Sequence, residues 1–228
     1  MKKVGIYKQA VLDAVEMSNA QRIEADGETR HVYPDYETYK NVQVAGNKAK
    51  LKRQFVKEPH IEALSGYLND LKDTCTFGLC HGTRGGLEQA WFRKYLAGTP
   101  DIIGTEISDT ADQFENTVQW DFHDTNPDWV ERADFVYSNS WDHAFDPEKA
   151  FSSWARQLKV GGVLLLDYTK GQTPQEANAL DPFGVTADGL TKVLNASLSD
   201  LGSLNEILDY TKSKHYRAHV FVWTREKA

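Results

Sequence analysis

Apolar positions in the first 70 residues recur at helical spacing, whereas those after residue 74 gather into short runs separated by amphipathic stretches. Ile6, Ala10, Val11, Ala14 and Val15 fall on one helical face. A turn is predicted at Asp26-Gly27. Tyr33, Tyr36 and Tyr39 then recur every third residue, with Pro34 suited to the start of a second helix. Pro59 opens a third, carrying Ile61, Leu64, Tyr67, Leu68 and Leu71 on one side. Nothing in this region reads as a buried strand, so residues 1–73 are predicted to form a helical extension that lies as a lid over the remainder of the chain, where its tyrosines and basic residues find a partner surface.

From residue 74 the runs predict strands at Thr76–Cys80, Asp101–Thr105, Thr117–Trp120, Phe135–Ser138 and Val163–Leu166. The last is apolar throughout, as a strand buried on both faces must be. A helix over 86–97 presents Leu87, Ala90, Trp91 and Tyr95 inward. Another over 147–158 opens at Pro147 and is stopped by Gly161-Gly162. Strands alternating with helices imply right-handed crossovers and a mostly parallel sheet. The tail departs from this. Ile207–Tyr210 and Ala218–Trp223 are joined by the short polar loop Lys212-Ser213-Lys214-His215, which makes them an antiparallel pair. Residues 74–228 thus predict an α/β domain with a seven-stranded, mostly parallel sheet, a C-terminal antiparallel hairpin and helices on both faces.

A chain of 228 residues, 40% hydrophobic and 26% charged, can bury one sizeable core. Its formal net charge of −7 repels phosphate backbones and argues against nucleic-acid partners. The basic cluster Lys48, Lys50, Lys52, Arg53 and Lys57 reads as a solvated helix face. Cys75 and Cys80, placed on one strand, stand about 16 Å apart along it. A disulfide needs about 4.4–6.8 Å between Cα atoms, so they do not pair and no oxidising compartment is indicated. Asp13 and Glu16 interrupt the N-terminal stretch, which therefore lacks the apolar core of a signal peptide. No apolar run has the length of a membrane span. A cytoplasmic protein with no membrane partner is expected.

The segment FGLCHGTRGGLEQAWF, residues 77–92, runs from a buried strand through a glycine-bearing turn into a helix. Gly82 lets a ligand approach the backbone, and the free N–H groups of the helix start attract negative charge. Glu106 ends the second strand, where a carboxylate can accept both hydroxyls of a ribose. Asp121-Phe122 ends the third, where the acid can accept from an adenine amino group and the ring can pack on the base. Each acid alone could be a helix cap, but three such sites on successive strands point into one crevice.

On these residues the chain from about 74 onward resembles the class I, Rossmann-like S-adenosylmethionine (SAM)-dependent methyltransferases, and is most similar to a subgroup with a CHGxRxG turn. The segment ADFVYSNSWDHAFDPEKAFSSWARQLKVGGVLLLD carries the resemblance through the fourth and fifth strands, roughly two-thirds of the chain in all. The resemblance implies SAM as cofactor. It implies that Cys80, His81, Gly82 and Arg84 form the loop around its methionine and ribose, that Glu106 and Ile107 meet the ribose and adenine edge, that Asp121 and Phe122 meet the adenine, and that Ser138 and Asn139 lie at the fourth-strand exit. Two residues depart from the family pattern. Cys80 replaces its first acid, and Arg84 its middle glycine. Arg84 suits either a pair with the methionine carboxylate or a structural ion pair. A nicotinamide fingerprint starting at Gly82 fails at Arg84 and Leu87.

The fourth-strand exit, Ser138-Asn139-Ser140-Trp141-Asp142-His143, lacks the Asn/Asp-Pro-Pro-aromatic tetrapeptide of amino-group methylation. Asp142 and His143 are candidate catalytic bases for a hydroxyl. Alternatively His143 only caps or packs beside the helix near Pro147. His123 and Asp124 match no strong ligand spacing, so no metal is expected. The sequence therefore points to methyl transfer onto a small molecule or saccharide, preferably at oxygen. A catalytically silent SAM- or nucleotide-binding module acting through a partner is the alternative.

Overall fold

The structure, a computed structural model, describes residues 5–227. The extension contains α1 (Ile6–Ser18), then β1 (Gln21–Ala25) and β2 (Glu28–Val32), then α2 (Tyr36–Lys50) and α3 (Glu58–Leu71). Three helices lie where the periodicity places them. The hairpin between them adds two strands, one exposed throughout and one mostly half-buried, to a region expected to be helical. Its turn is the predicted Asp26-Gly27, both with positive φ (48° and 82°), the conformation that matches the twist of paired strands. β1 is exposed along its whole length, so no alternating pattern advertises it. Asp35 caps α2 through its side chain, accepting from the Thr38 N–H at 2.7 Å.

The main sheet begins with β3 (Phe77–His81). It continues through α4 (Leu87–Tyr95), β4 (Asp101–Glu106), β5 (Thr117–Gln119), β6 (Ala133–Ser138), α5 (Pro147–Gln157) and β7 (Leu158–Tyr168). A short strand β8 (Phe183–Val185), α6 (Ala187–Leu198), β9 (Gly202–Asp209) and β10 (His219–Arg225) complete the chain. The seven strands lie in the order β5-β4-β3-β6-β7-β10-β9. The first five are parallel, and β10 is antiparallel to both β7 and β9. The direction of crossover reverses between β3 and β6. The carboxyl ends of strands flanking such a point open the crevice in which α/β folds bind ligands.

Two apolar layers cover the sheet. On one face Ile61, Leu64 and Leu68 of α3 and Phe92 of α4 join Cys80, Phe135 and Leu165. On the other, Phe151 and Trp154 of α5 and Leu190, Leu194 and Leu198 of α6 join Leu79, Val136 and Leu164. Several details differ from the sequence reading. Cys75 precedes β3 rather than lying on it, and both cysteines are buried and free. α4 turns Glu88, Gln89 and Phe92 inward, while Leu87 is exposed. α5 ends at Gln157 and the chain enters β7 at once. Gly161-Gly162 is a bend within that strand, where a Cβ on Gly162 would lie 2.7 Å from the Ala133 carbonyl. The pattern-based reading also omits β8 and α6. β8 pairs with β2 and ties the extension's hairpin to the main domain. Among the described residues no helix is long and apolar enough to cross a membrane.

Candidate active site

The turn after β3 is set by backbone conformation. Gly82, Arg84 and Gly86 all have positive φ (75°, 47° and 72°), which is natural for the glycines and strained for the arginine. Gly82 is constrained twice, because an added Cβ would also meet the Cβ of Ser140 at 2.7 Å. The N–H groups of Gly82 and Thr83 donate to the Thr105 carbonyl at 3.0 Å, so the turn is pinned against β4. The Arg84 guanidinium lies over the ring of Phe55, and its Nε is buried without a partner. Burial lowers its pKa.

One crevice with two connected compartments runs along these strand ends. The narrow compartment is lined by Glu106, Ile107, Asp121 and Phe122 from the main domain and by Tyr39, Gln43, Asn47 and Lys50 from α2. Glu106 is 7% exposed, and burial raises its pKa. Its Oε1 accepts from the Ser108 N–H at 3.1 Å. The Asn47 Nδ2 beside it is a buried donor without a partner. Asp121 is different. Burial pushes its pKa up, but hydrogen bonds from His123 outweigh this and hold it below the ordinary value. Its Oδ1 is 2.6 Å from His123 Nδ1, and its Oδ2 accepts from the Tyr36 hydroxyl at 2.7 Å.

The wide compartment, about 430 Å³, shares Gly82, Arg84, Ser140, His143 and Lys50 with the narrow one and adds Asn139, Asp142 and Asp181. Burial and the charge of Asp181 raise the Asp142 carboxyl well above its ordinary range. Asp181 is held low by His143 and Lys50 against the opposing effect of burial. It accepts from the Tyr7 hydroxyl at 2.5 Å. The His143 Nδ1 lies 2.7 Å from Gln43 Oε1, while its Nε2 stands 3.2 Å from Asp181 Oδ1, an oxygen left without a hydrogen-bond partner. Burial pushes this imidazole down to about 4. Asp146, not His143, caps α5.

Gly82, Arg84, Glu106, Ile107, Asp121, Phe122, Asn139, Asp142 and His143 are therefore brought to one crevice. Cys80, His81 and Ser138 line neither compartment. Cys80 belongs to the apolar layer under α4. The His81 ring hydrogen-bonds Thr105 and Gln157 and stacks on Trp154. The Ser138 hydroxyl donates to the His81 carbonyl at 3.1 Å. Their side chains hold the strand ends in place, because a strand entering this turn alternates its side chains between the two buried faces. The basic cluster also needs correction. Lys50 is 2% exposed and lies in the crevice, 3.9 Å from Asp181, rather than on a solvated face. The sequence reading assigned the tyrosines and basic cluster of this segment a covering role but named none of its residues as lining the site. Tyr36, Tyr39, Gln43, Asn47 and Lys50 are spaced by three and four, one helical face, but polar residues do not announce a buried stripe.

No family model matches the chain, and no curated protein matches its sequence. Solved structures do match in architecture. The 1,6-didemethyltoxoflavin-N1-methyltransferase of Burkholderia thailandensis, solved with 1,6-didemethyltoxoflavin and S-adenosylhomocysteine, has a TM-score of 0.62 at 12% identity, over 92% of this chain and 100% of its own. A sugar N-methyltransferase of a Streptoalloteichus species has a TM-score of 0.56 at 17% identity, over 90% and 96%. The fold is that of the class I methyltransferases. The cyclase SpnF matches as well, with a TM-score of 0.53 at 13% identity over 73% and 81%. Its name assigns a ring-forming reaction, so the chemistry of this chain must be argued from its own site.

Proposed function

We propose that this protein transfers a methyl group from SAM to a hydroxyl of a small molecule or saccharide. One observation carries the reading: a glycine turn, a buried Glu106 and a hydrogen-bonded Asp121, at the ends of three adjacent strands, face one crevice. The lining suits the cofactor chemically. The unpartnered donors Asn47 Nδ2 and Arg84 Nε match a nucleoside oxygen and a carboxylate. When bound, SAM supplies an electrophilic methyl group on a sulfonium centre.

In this reading Glu106 accepts the ribose hydroxyls, Asp121 Oδ2 accepts from the adenine amino group, and Ile107 and Phe122 flank the base. Gly82 lets the backbone come close, Arg84 takes the methionine carboxylate, and Asn139 borders the reacting end. Cys80, His81 and Ser138 act through the backbone that they anchor. Asp142 takes the proton leaving the acceptor hydroxyl, because burial and Asp181 raise its carboxyl while burial pushes His143 down to about 4 and makes it a weak base. His143 then positions the charged groups beside it. Alignment and exclusion of water supply most of the remaining acceleration of such a displacement. Residues 1–73 serve as a lid over the methyltransferase domain 74–228, with α2 as the covering element. The two buried free cysteines suit a reducing compartment such as the cytoplasm.

The altered turn, with Cys80 in place of an acid and Arg84 at a strained positive φ, favours the alternative of a silent binding module. The narrow compartment is tight, with about 40 Å³ of free space. An adenosyl group needs α2 or its side chains to move. Incubation with methyl-labelled SAM and a panel of hydroxylated and amino acceptors tests both readings. Label in an ether product supports the proposal, label in amines alone refutes the oxygen assignment, and tight binding without turnover of any acceptor favours the silent module.

A further inference from the structure

The loop 51–57, between α2 and α3, brings Phe55, a residue 37% exposed, to the edge of the wide compartment. Three cations converge on that ring. Arg84 Cζ lies 5.2 Å from its centroid, Arg53 Cζ 5.3 Å and Lys50 Nζ 5.9 Å. Like charges gathered this closely in a partly desolvated chamber repel one another, and the ring offsets only part of that cost.

The compartment also carries four acids, Glu88, Asp142, Glu176 and Asp181. Glu176 is paired with Lys170 at 3.2 Å. Glu88 is hydrogen-bonded by Thr83 and by Gln54, each at 2.8 Å. Asp181 is closer to Tyr7 and His143 than to Lys50. Among the described residues neither Arg53 nor Arg84 has a carboxylate within 4.0 Å. Arg53 and Arg84 therefore stand beside the Phe55 ring without a direct ion pair, and Lys50 lies also 5.5 Å from the Tyr7 centroid.

We propose that the methyl acceptor is a small planar carboxylic acid, with its carboxylate held by Arg53 and Lys50 above Phe55. This rests on the methyltransferase reading, in which Arg84 is occupied by the cofactor's single carboxylate and the other two cations remain. A monoanion fits better than a phosphate dianion, because Asp181 and Glu88 stand in the same chamber and repel additional negative charge. Asp142 lines the same chamber as these cations.

Ligand-observed NMR titration of the full chain, with and without saturating S-adenosylhomocysteine, tests this with matched pairs: para-hydroxybenzoate against para-hydroxybenzamide, and benzoate against benzamide. The acids should bind about tenfold or more tightly than the amides, and the preference should weaken with added salt. In Arg53→Gln the preference should fall to near unity while affinity for S-adenosylhomocysteine is unchanged. Equal binding of acid and amide, or binding of neither, overturns the inference. So does a loss of S-adenosylhomocysteine affinity in Arg53→Gln, because that residue would then belong to the cofactor. If S-adenosylhomocysteine itself does not bind, the methyltransferase reading fails. The acid-to-amide comparison on the unloaded protein still decides whether the chamber is an acid site.

Discussion

Removing the Tyr36 hydroxyl should tighten cofactor binding. That hydroxyl donates to Asp121 Oδ2 at 2.7 Å, and the Oδ1 atom is already taken by His123. Oδ2 is the oxygen that an adenine amino group has to reach, so α2 competes internally for the same acceptor. A partly exposed hydrogen bond to a charged group is worth about 1 kcal/mol net. The competent state, with the hydroxyl displaced, is then roughly one part in six of the population, and the apparent dissociation constant is raised by the inverse of that fraction. Tyr36→Phe keeps the ring against Tyr39 and Phe145 and removes only the competitor. Calorimetric titration with S-adenosylhomocysteine should show roughly five- to sixfold tighter binding. In an Asp121→Asn background the same substitution should change little, since the coupling belongs to that pair. Unchanged or weaker binding in the single variant refutes the competition and makes Tyr36 a direct contact or a bystander.

Glu106→Ala should weaken S-adenosylhomocysteine binding by about ten- to a hundredfold, the loss of roughly 1–3 kcal/mol, with little change in the melting temperature of the free protein. Asp142→Asn should lower turnover by roughly a hundredfold or more. The parent rate should climb as pH rises through the raised pKa of Asp142, because a base acts only when deprotonated. His143, pushed down to about 4, is neutral throughout the neutral range and contributes no break there, so a profile step that survives Asp142→Asn contradicts the assignment. At the base of β3, Asp134 Oδ2 accepts from the Thr76 and Phe77 N–H groups at 2.7 and 3.2 Å, and its other oxygen meets Lys159. Burial raises its pKa, but these partners hold it below the ordinary value. Its stabilisation is therefore present at neutral pH and is lost as pH falls through the depressed pKa. Asp134→Ala should cost about 3 kcal/mol, or roughly 6–12 °C in melting temperature, and differential scanning calorimetry should show that penalty shrinking in acid.

The sheet was legible because its strands are short apolar runs with glycine and proline between them, and because Val163–Leu166 could only be a doubly covered strand. What escaped has physical reasons. β1 is exposed at every position, and a three-residue strand such as β8 has too few positions to show a period. α6 carries Leu190, Leu194 and Leu198 at helical spacing and was available to the same reasoning. In the site, the strand-end acids Glu106 and Asp121 were readable from their position after apolar runs. Lys50 was not, because a lysine in a basic stretch reads as solvated until a buried partner such as Asp181, 131 positions later, is folded beside it. The burial that weakens His143 as a base, and the Asp181 charge that raises Asp142, come from distant segments, so only the structure could transfer the base role to Asp142.

The most direct test of the whole account is titration of the purified chain with S-adenosylhomocysteine, in parallel with NAD. The account predicts saturable binding of one S-adenosylhomocysteine per chain, weakened by about ten- to a hundredfold in Glu106→Ala, and no comparable binding of NAD. Absence of S-adenosylhomocysteine binding to the parent chain, or binding indifferent to Glu106, would contradict it.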